Sequence, residues 1–195
     1  MLDVATGAIS KIDSDELYVP GAFRNLFGDW SSDSKWIAYT KVTETQFKRI
    51  FLYSIDQQKS FPLTDGLSDA SEPIFDRGNK YLYFFASTDA GPVLNWFDQS
   101  NADMRSTNSI YLVTLQKETI SPFAKESDEE KISTGSGGKE PADTSKVKKD
   151  ASATTDKKPA SLSIDWEGIT NRIIDLPVRA GNYSQLGMGD RKSVV

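Results

Sequence analysis

Hydrophobic and polar positions alternate in two similar stretches of the chain, and each stretch contains a short polar turn. Residues 30–39 read WSSDSKWIAY and residues 75–84 read FDRGNKYLYF, so aromatic residues align at both ends with an offset of 45 positions. Residues 50–55 and 110–115 also align, with an offset of 60, which predicts an insertion in the second copy. Repeats of this length, rich in β-branched and aromatic residues, are typical of four-stranded propeller blades.

The pattern therefore predicts an all-β fold, a partial β-propeller in residues 1–124 with two four-stranded blades. A remnant of an earlier blade is expected in residues 1–12, and complete blades at residues 24–65 and 70–124. Asp, Ser, Gly and Asn favour tight reversals, so each polar turn should join the first two strands of its blade. The predicted strands are residues 26–31, 35–42, 49–55 and 59–64 in the first blade and 72–75, 80–87, 109–115 and 119–124 in the second.

The character of the sequence changes after residue 124. Residues 125–160 contain eight Lys and eight Asp or Glu but no aromatic residue. Such a segment cannot bury enough apolar surface to offset its ordering entropy, about 1–2 kcal/mol per residue. We predict a disordered linker here, followed at residues 161–184 by the first strands of a second β domain, the start of a second β-propeller. Residues 185–195 are expected to form a tail. One back-translation of residues 190–195 resembles the start of a common sequencing adapter, and we hypothesise that they are an artefact.

The composition excludes whole classes of chemistry. A net charge of −5 and a pI near 4.9 provide no basic surface for nucleic acid or an anionic membrane. The chain has neither histidine nor cysteine, so no Ser–His or Cys–His nucleophile pair, disulfide or usual zinc site can be built from it. No apolar run approaches the length of a membrane span. We expect no catalytic residue, no cofactor and no metal site in this chain.

The stretch DGLSDASEP carries three acidic residues, Asp65, Asp69 and Glu72. Carboxylate oxygens of this kind can bind a hard cation. We favour the alternative of a polar loop that leads into the first strand of the second blade, because the spacing matches no calcium-loop motif.

The insertion at residues 88–108, TDAGPVLNWFDQSNADMRSTN, is rich in apolar side chains. A surface loop seldom bears so many unless they cover something. In a propeller this insertion and the DGLSDASEP loop emerge on the same face, where they could contact a ligand, a peptide or another domain. The alternative, which we favour, is a loop that caps its own blade. The candidate rim contacts are Asp69, Glu72, Trp96, Phe97 and Arg105.

Stretches over most of the chain outside residues 125–160 together carry a family resemblance: residues 30–41, 62–73, 86–92, 95–97, 101–105 and 109–115, and parts of DWEGI…RIIDLPVRAGNY. They resemble the tricorn-type serine proteases, large peptidases with N-terminal propellers. The blade pattern alone is shared with TolB-type and prolyl-oligopeptidase propellers, whereas the insertion and the DWEGI stretch are more specific. The resemblance implies a parent enzyme with two propellers, a PDZ-like module and a catalytic domain in which histidine assists a serine nucleophile. No catalytic residue carries over, because this chain contains no histidine.

We therefore expect a non-catalytic propeller fragment of a tricorn-like serine peptidase that degrades oligopeptides, in which the propeller guides peptides or docks other domains. Its partners would be peptide substrates of the parent enzyme and other domains of the same chain, and the parent would be a homo-oligomer. We expect a cytoplasmic location, with the periplasm as the alternative. The alternative function, of a different class, is a non-enzymatic TolB-like propeller that binds proteins, which predicts a gene that ends after one propeller.

Overall fold

A computed structural model describes residues 1–17, 28–88, 107–124 and 161–188, and every structural statement below concerns these ranges. They contain eight β-strands and one short 3₁₀ helix, Ile169–Arg172, which directly precedes the last strand. The strands are β1 (Gly28–Trp30), β2 (Trp36–Val42), β3 (Lys48–Ser54), β4 (Lys59–Pro62), β5 (Asp69–Phe75), β6 (Tyr81–Ser87), β7 (Ser109–Thr114) and β8 (Ile173–Asp175).

The first four strands form an antiparallel sheet in the order β1-β2-β3-β4. Alternate residues face opposite sides, as the pleat of a strand requires. Ala38 pairs with Leu52 on the side that faces the second sheet, and both are fully buried. Tyr39 pairs with Phe51 on the other side, where their rings stack with centroids 5.8 Å apart. A slip of one residue would exchange the two faces, so this burial pattern fixes the register.

The second sheet is also antiparallel and has the order β5-β6-β7-β8. Its first strand carries a register shift between Ser71 and Ile74, and Glu72 within the shift has a left-handed backbone with φ 52°. Its central strands present Phe84 and Val113 to the first sheet, where they are almost fully buried. The prediction of an all-β fold with two four-stranded sheets is confirmed.

The outer strand of the second sheet differs from the prediction. Residues 119–124 were expected to form it, but they contain a turn and no strand. Pro122 has no backbone N–H for a ladder, and Ile120 in this segment is 76% exposed. The outer position is taken by Ile173–Asp175, which pairs with β7 and offers two β-branched residues to the sheet.

Residues 161–176 consequently belong to the second blade, and the prediction that they begin a separate β domain is wrong. Leu162 and Ile169 are buried in the core between the two sheets. The backbone N–H of Asp165 donates to the carbonyl of Leu115 at 3.0 Å. The predicted linker, residues 125–160, lies outside the described residues, as do residues 190–195, but its place in the sequence is between the third and fourth strands of one blade.

An aromatic cluster joins this late segment to the first sheet. The Trp166 ring stacks on Phe61 of β4 with centroids 4.7 Å apart and tilts against Trp36 of β2 at 5.9 Å. Trp36 and Phe61 are themselves 6.2 Å apart. Trp166, which precedes β8, thus packs on the first sheet, while β8 itself pairs with the second.

The two polar turns identified in the sequence have the same geometry. Ser34 and Asn79, which align at the offset of 45, both adopt a left-handed backbone with φ 60° and 54°. The first residue of each turn caps the returning strand: Ser31 Oγ and Asp76 Oδ1 each accept a bond from the backbone N–H five residues later, at 2.9 and 2.7 Å. Both turns join the first two strands of a sheet, as predicted.

Hydrogen bonds between the sheets also involve these turns. The backbone N–H of Ser32 donates to Asn79 Oδ1 at 2.9 Å, and the N–H of Phe75 donates to Asp29 Oδ2 at 2.8 Å. Asn79 is only 5% exposed, so its amide is a buried polar group that is satisfied across the boundary. The two blades are therefore held in register by directional bonds as well as by apolar packing.

Candidate functional site

Of the candidate rim residues, Asp69 and Glu72 lie in β5, whereas Trp96, Phe97 and Arg105 lie outside the described residues. Asp69 binds the first sheet through both carboxylate oxygens: Oδ1 accepts from the backbone N–H of Lys48 at 2.8 Å, and Oδ2 lies 3.1 Å from Lys48 Nζ. Asp69 therefore ties β5 to β3 and is not free to hold a ligand.

Glu72 occupies a different surface from Asp69. Its Oε2 accepts a bond from the backbone N–H of Leu186 at 3.0 Å. Glu72 also lines a cleft of about 270 Å³ between β1, β5 and the segment around Leu186, to which Asp29 contributes. The structure therefore does not bring Asp69 and Glu72 together at one contact point.

The loop between β4 and β5 borders a second cleft, of about 260 Å³, which we call the rim cleft. Thr64, Asp65 and Ser68 from the loop form one wall, and Thr88 at the start of the predicted insertion contributes on the other side. The floor includes Phe84 and Tyr111, whose rings stack with centroids 5.7 Å apart, and Ile173 and Thr170 close the far end.

Neighbouring secondary structure fixes these side chains in place. Phe84 pairs with Tyr111 across β6 and β7, so both rings project from the same face of the second sheet. Thr64 Oγ1 accepts a bond from the backbone N–H of Ile50 at 3.2 Å, which anchors the loop on the first sheet. The sequence prediction placed this loop and the insertion on one face, and residues from both do meet at the rim cleft.

The acidic loop does not form a metal centre. Asp65 Oδ1 accepts from the backbone N–H of Leu67 at 2.9 Å, while Asp69 and Glu72 are engaged as described above. Within the described ranges, no group of three or more His, Cys, Asp or Glu side chains is arranged to bind a metal ion.

A polar network fills part of another cleft, about 450 Å³ in volume, on the face of the first sheet that points away from the second. The Tyr39 hydroxyl donates to Asp13 Oδ2 at 2.6 Å and lies 2.8 Å from Ser60 Oγ. Lys41 Nζ lies 3.4 Å from Asp13 and 3.2 Å from Glu16. Burial and the bond to Asp13 raise the pKa of the Tyr39 hydroxyl, so it remains protonated. These groups satisfy one another and attach the N-terminal segment to the sheet.

The sequence offers no histidine to activate a serine nucleophile. None of the helical residues described forms a segment long and apolar enough to cross a bilayer.

Comparison with known proteins bears on the fold. No protein-family model matches the sequence, and no curated protein matches it. A crystal structure of the tricorn protease aligns with 95% of this chain at a TM-score of 0.56 and 17% identity. The chain has the propeller fold of the tricorn protease. It covers 15% of the length of that protein.

Two TolB structures also align with this tricorn-like propeller chain, but less completely. A TolB protein from Agrobacterium tumefaciens aligns with 58% of the chain and 36% of its own length, at a TM-score of 0.39 and 18% identity. TolB from Acinetobacter baumannii aligns with 46% of the chain and 18% of its own length, at a TM-score of 0.32 and 23% identity.

The sequence did not predict most of the residues that line the rim cleft. Phe84 and Tyr111 were assigned to strands, but they were not predicted to line a cleft. A usable signal was present, because the alternation in residues 81–87 and 109–114 places both rings on one face. Thr170 could not be found in this way, because its position depends on the placement of residues 161–176 against the second sheet.

Proposed function

We propose that this chain is a non-catalytic propeller segment of a tricorn-like serine peptidase that degrades oligopeptides. The supporting observation is the alignment of 95% of the chain with a tricorn protease structure as two adjacent four-stranded sheets. The absence of histidine supports a non-catalytic role, because a Ser–His pair would need a residue from outside this chain.

The propeller serves to guide peptides toward a catalytic domain or to dock other domains. The rim cleft supports this role because it is a concave surface with an apolar floor and a polar margin, the usual composition of a binding site. The proposed partners are peptide substrates and other domains of the same chain in a homo-oligomeric enzyme in the cytoplasm.

The test is the reading frame of the source gene together with the activity of its full product. We expect the frame to continue into a PDZ-like segment and a serine-protease domain, and the full product to hydrolyse fluorogenic oligopeptides. The 195-residue chain alone is expected to hydrolyse none. A frame that ends after one propeller, with no peptidase activity, would contradict the proposal and favour a protein-binding propeller of the TolB class.

A further inference from the structure

Residues 1–10, which we call the N-terminal hairpin, have the pairing of the β3–β4 hairpin 51 positions later. Leu2 forms an antiparallel bridge with Ile9, just as Tyr53 pairs with Ser60. The same offset relates both members of each pair. The N-terminal hairpin is therefore equivalent to the third and fourth strands of a blade.

The turns of the two hairpins agree as well. The backbone N–H of Thr6 donates to Asp3 Oδ1 at 3.2 Å. At the equivalent positions, the N–H of Gln57 donates to Ser54 Oγ, also at 3.2 Å. The likeness thus extends from the backbone register to the side chain that caps each turn.

The two hairpins differ in their neighbours. β3 is paired on both edges, whereas residues 1–4 are paired on one edge among the residues that the structure describes. In the first sheet the N–H of Ile55 donates to the carbonyl of Lys35 at 2.9 Å, and the corresponding bond in the second sheet measures 3.0 Å. Val4 is the equivalent of Ile55, but within the described ranges its N–H has no acceptor and its side chain is 91% exposed. Residues 1–4 therefore present an open strand edge.

The cleft of about 450 Å³ on the first sheet, which we call the N-terminal cleft, adjoins this edge. Beside the polar network described above, three apolar residues line it: Met1, Ile12 and Ile37. Their equivalents one blade later are fully buried between the two sheets: Leu52, Leu63 and Leu82. At that later boundary β2 lies beside β3 and contributes Trp36 and Ala38 to the core. The open edge and the N-terminal cleft thus have the arrangement that accepts a strand like β2.

This comparison defines the chemistry of the partner. Ala38 of β2 pairs with Leu52, the equivalent of Met1, so the partner residue opposite Met1 should be small and apolar. A strand added to an open edge gains backbone hydrogen bonds, and its alternate side chains give specificity. The partner is therefore an extended strand with apolar side chains at the alternate positions that face the N-terminal cleft.

A second copy of this chain has no such strand to donate. Its central strands β2, β3, β6 and β7 are each paired on both edges. A strand from elsewhere in a longer protein is not limited in this way. The new contact would continue the interface that already joins the first sheet to the second.

We infer that residues 1–4 and the N-terminal cleft bind a β-strand that the parent protein supplies from outside residues 1–195. The inference rests on the proposed function, because it requires the chain to belong to a longer protein. It adds to that proposal a docking surface and a partner of stated pattern.

Fluorescence anisotropy on the purified chain tests the inference. The probe is a fluorescein-labelled octapeptide with the sequence of residues 35–42, KWIAYTKV, which contains β2. We expect saturable binding. The matched control peptide carries Ala38→Asp, which would place a carboxylate without a partner opposite Met1, and we expect no saturable binding of this peptide.

Two variants of the chain assign the binding to the open edge. Val4→Pro removes the N–H that has no acceptor, and proline is favoured at the second position of a turn, so the hairpin should be kept. This variant should bind the peptide about fivefold more weakly, the scale of one backbone hydrogen bond. Val4→Ala keeps the N–H and should bind like the native chain. Circular dichroism verifies that both variants are folded.

The inference is overturned if the KWIAYTKV peptide shows no saturable binding, if the Ala38→Asp peptide binds equally well, or if the two Val4 variants bind alike. Sedimentation of the chain alone tests the other occupant: self-association that is lost in Val4→Pro would assign the edge to a second copy and overturn the choice of partner. None of these outcomes decides the proposed function, which the reading frame tests separately. Conversely, a frame without a peptidase domain would contradict the proposed function even if the peptide binds.

Discussion

Replacing Trp166 with alanine tests whether residues 161–176 form part of the blade core. Trp166 is the aromatic residue through which this late segment contacts both Phe61 and Trp36 of the first sheet. If the segment were the start of an independent domain, its loss would leave the unfolding of the two sheets unchanged.

The expected destabilisation follows from the contacts that are lost. Each aromatic pair contributes about 0.5–1.5 kcal/mol beyond area burial, so two pairs account for about 1–3 kcal/mol. Truncation of a fully buried Trp to Ala costs about 3–5 kcal/mol. Because Trp166 is only partly buried, we expect a loss of about 3 kcal/mol in the free energy of unfolding.

The assay is urea-induced unfolding at low protein concentration, followed by circular dichroism at a β-sheet wavelength. Trp30→Ala is the matched control: Trp30 is 49% exposed on β1 and lies outside the core, so its loss should cost less than about 1 kcal/mol. Equal effects of the two substitutions, or a change confined to a small separate transition in Trp166→Ala, would refute the placement of this segment.

Three further outcomes are expected. Residues 1–124 and 161–195, co-expressed as separate chains, should copurify through the pairing of β7 with β8; separate elution would contradict it. Ser34→Val should destabilise the chain by about 1–2 kcal/mol in thermal unfolding, because Ser34 has φ 60°, whereas Ser34→Gly should be tolerated. Partial burial raises the pKa of Asp33, but hydrogen bonds from the Ser31 hydroxyl and the Leu162 N–H outweigh it, so the pKa lies below its ordinary value of 3.8. The stability from Asp33 is therefore fully present at neutral pH and is lost as the pH falls from about 5, past the ordinary value and through the lower folded pKa. Acid titration of Asp33→Asn should show lower stability at neutral pH and a smaller loss on acidification; an unchanged profile would contradict this.

The local alternation of hydrophobic and polar residues was sufficient to predict the central strands and their turns. The alternation in β2 specifies one buried face, because Trp36 and Ala38 must lie on the same side of a pleated strand. The turn at Asn79 was predictable for a similar reason, since Asn is among the few residues that accept a left-handed backbone at low cost.

The outer strand of the second sheet could not be predicted from local pattern. Residues 119–124 and 173–175 both follow β7 and both carry apolar side chains, and a pattern of period two does not say which one reaches the open edge. The choice depends on long-range contacts, such as those of Trp166 with Phe61, that bring residues 161–176 back to the sheets.

The sequence predicted the region of the candidate site but not the partners of its side chains. The loop before β5 was predicted to lie at a rim, and its neighbour Asp69 is paired with Lys48 on the first sheet, a partner that the sequence pattern does not indicate. Glu72 lies at a register shift in β5, where its carboxylate accepts a bond from Leu186, and the sequence pattern does not indicate this partner either. A shift of one residue reverses the direction in which a side chain points. The alternation pattern therefore does not predict side-chain direction at a bulge.

A last prediction concerns Glu72, because its hydrogen bond resembles one that links the first sheet to the second. Asp29 of β1 accepts from the backbone N–H of Phe75 in β5, and Glu72 of β5 accepts from the N–H of Leu186. Residues 181–188 also cover the far face of the second sheet, where Tyr183 stacks on Phe85 with centroids 6.3 Å apart. The contact of residues 181–188 with β5 through Glu72 therefore resembles the contact of β5 with β1 through Asp29.

Hydrogen exchange measured by NMR can separate the two carboxylate contacts. In Glu72→Ala the amide of Leu186 should exchange about tenfold faster while that of Phe75 is unchanged, since one hydrogen bond to a charged group contributes roughly 1.5–3 kcal/mol. Asp29→Ala should have the opposite effect, and Glu72→Gln should restore part of the protection because its amide oxygen still accepts. Equal exchange of the Leu186 amide in the native chain and in Glu72→Ala would show that Glu72 does not hold Leu186, so that the bond at Glu72 does not reproduce the link between β1 and β5.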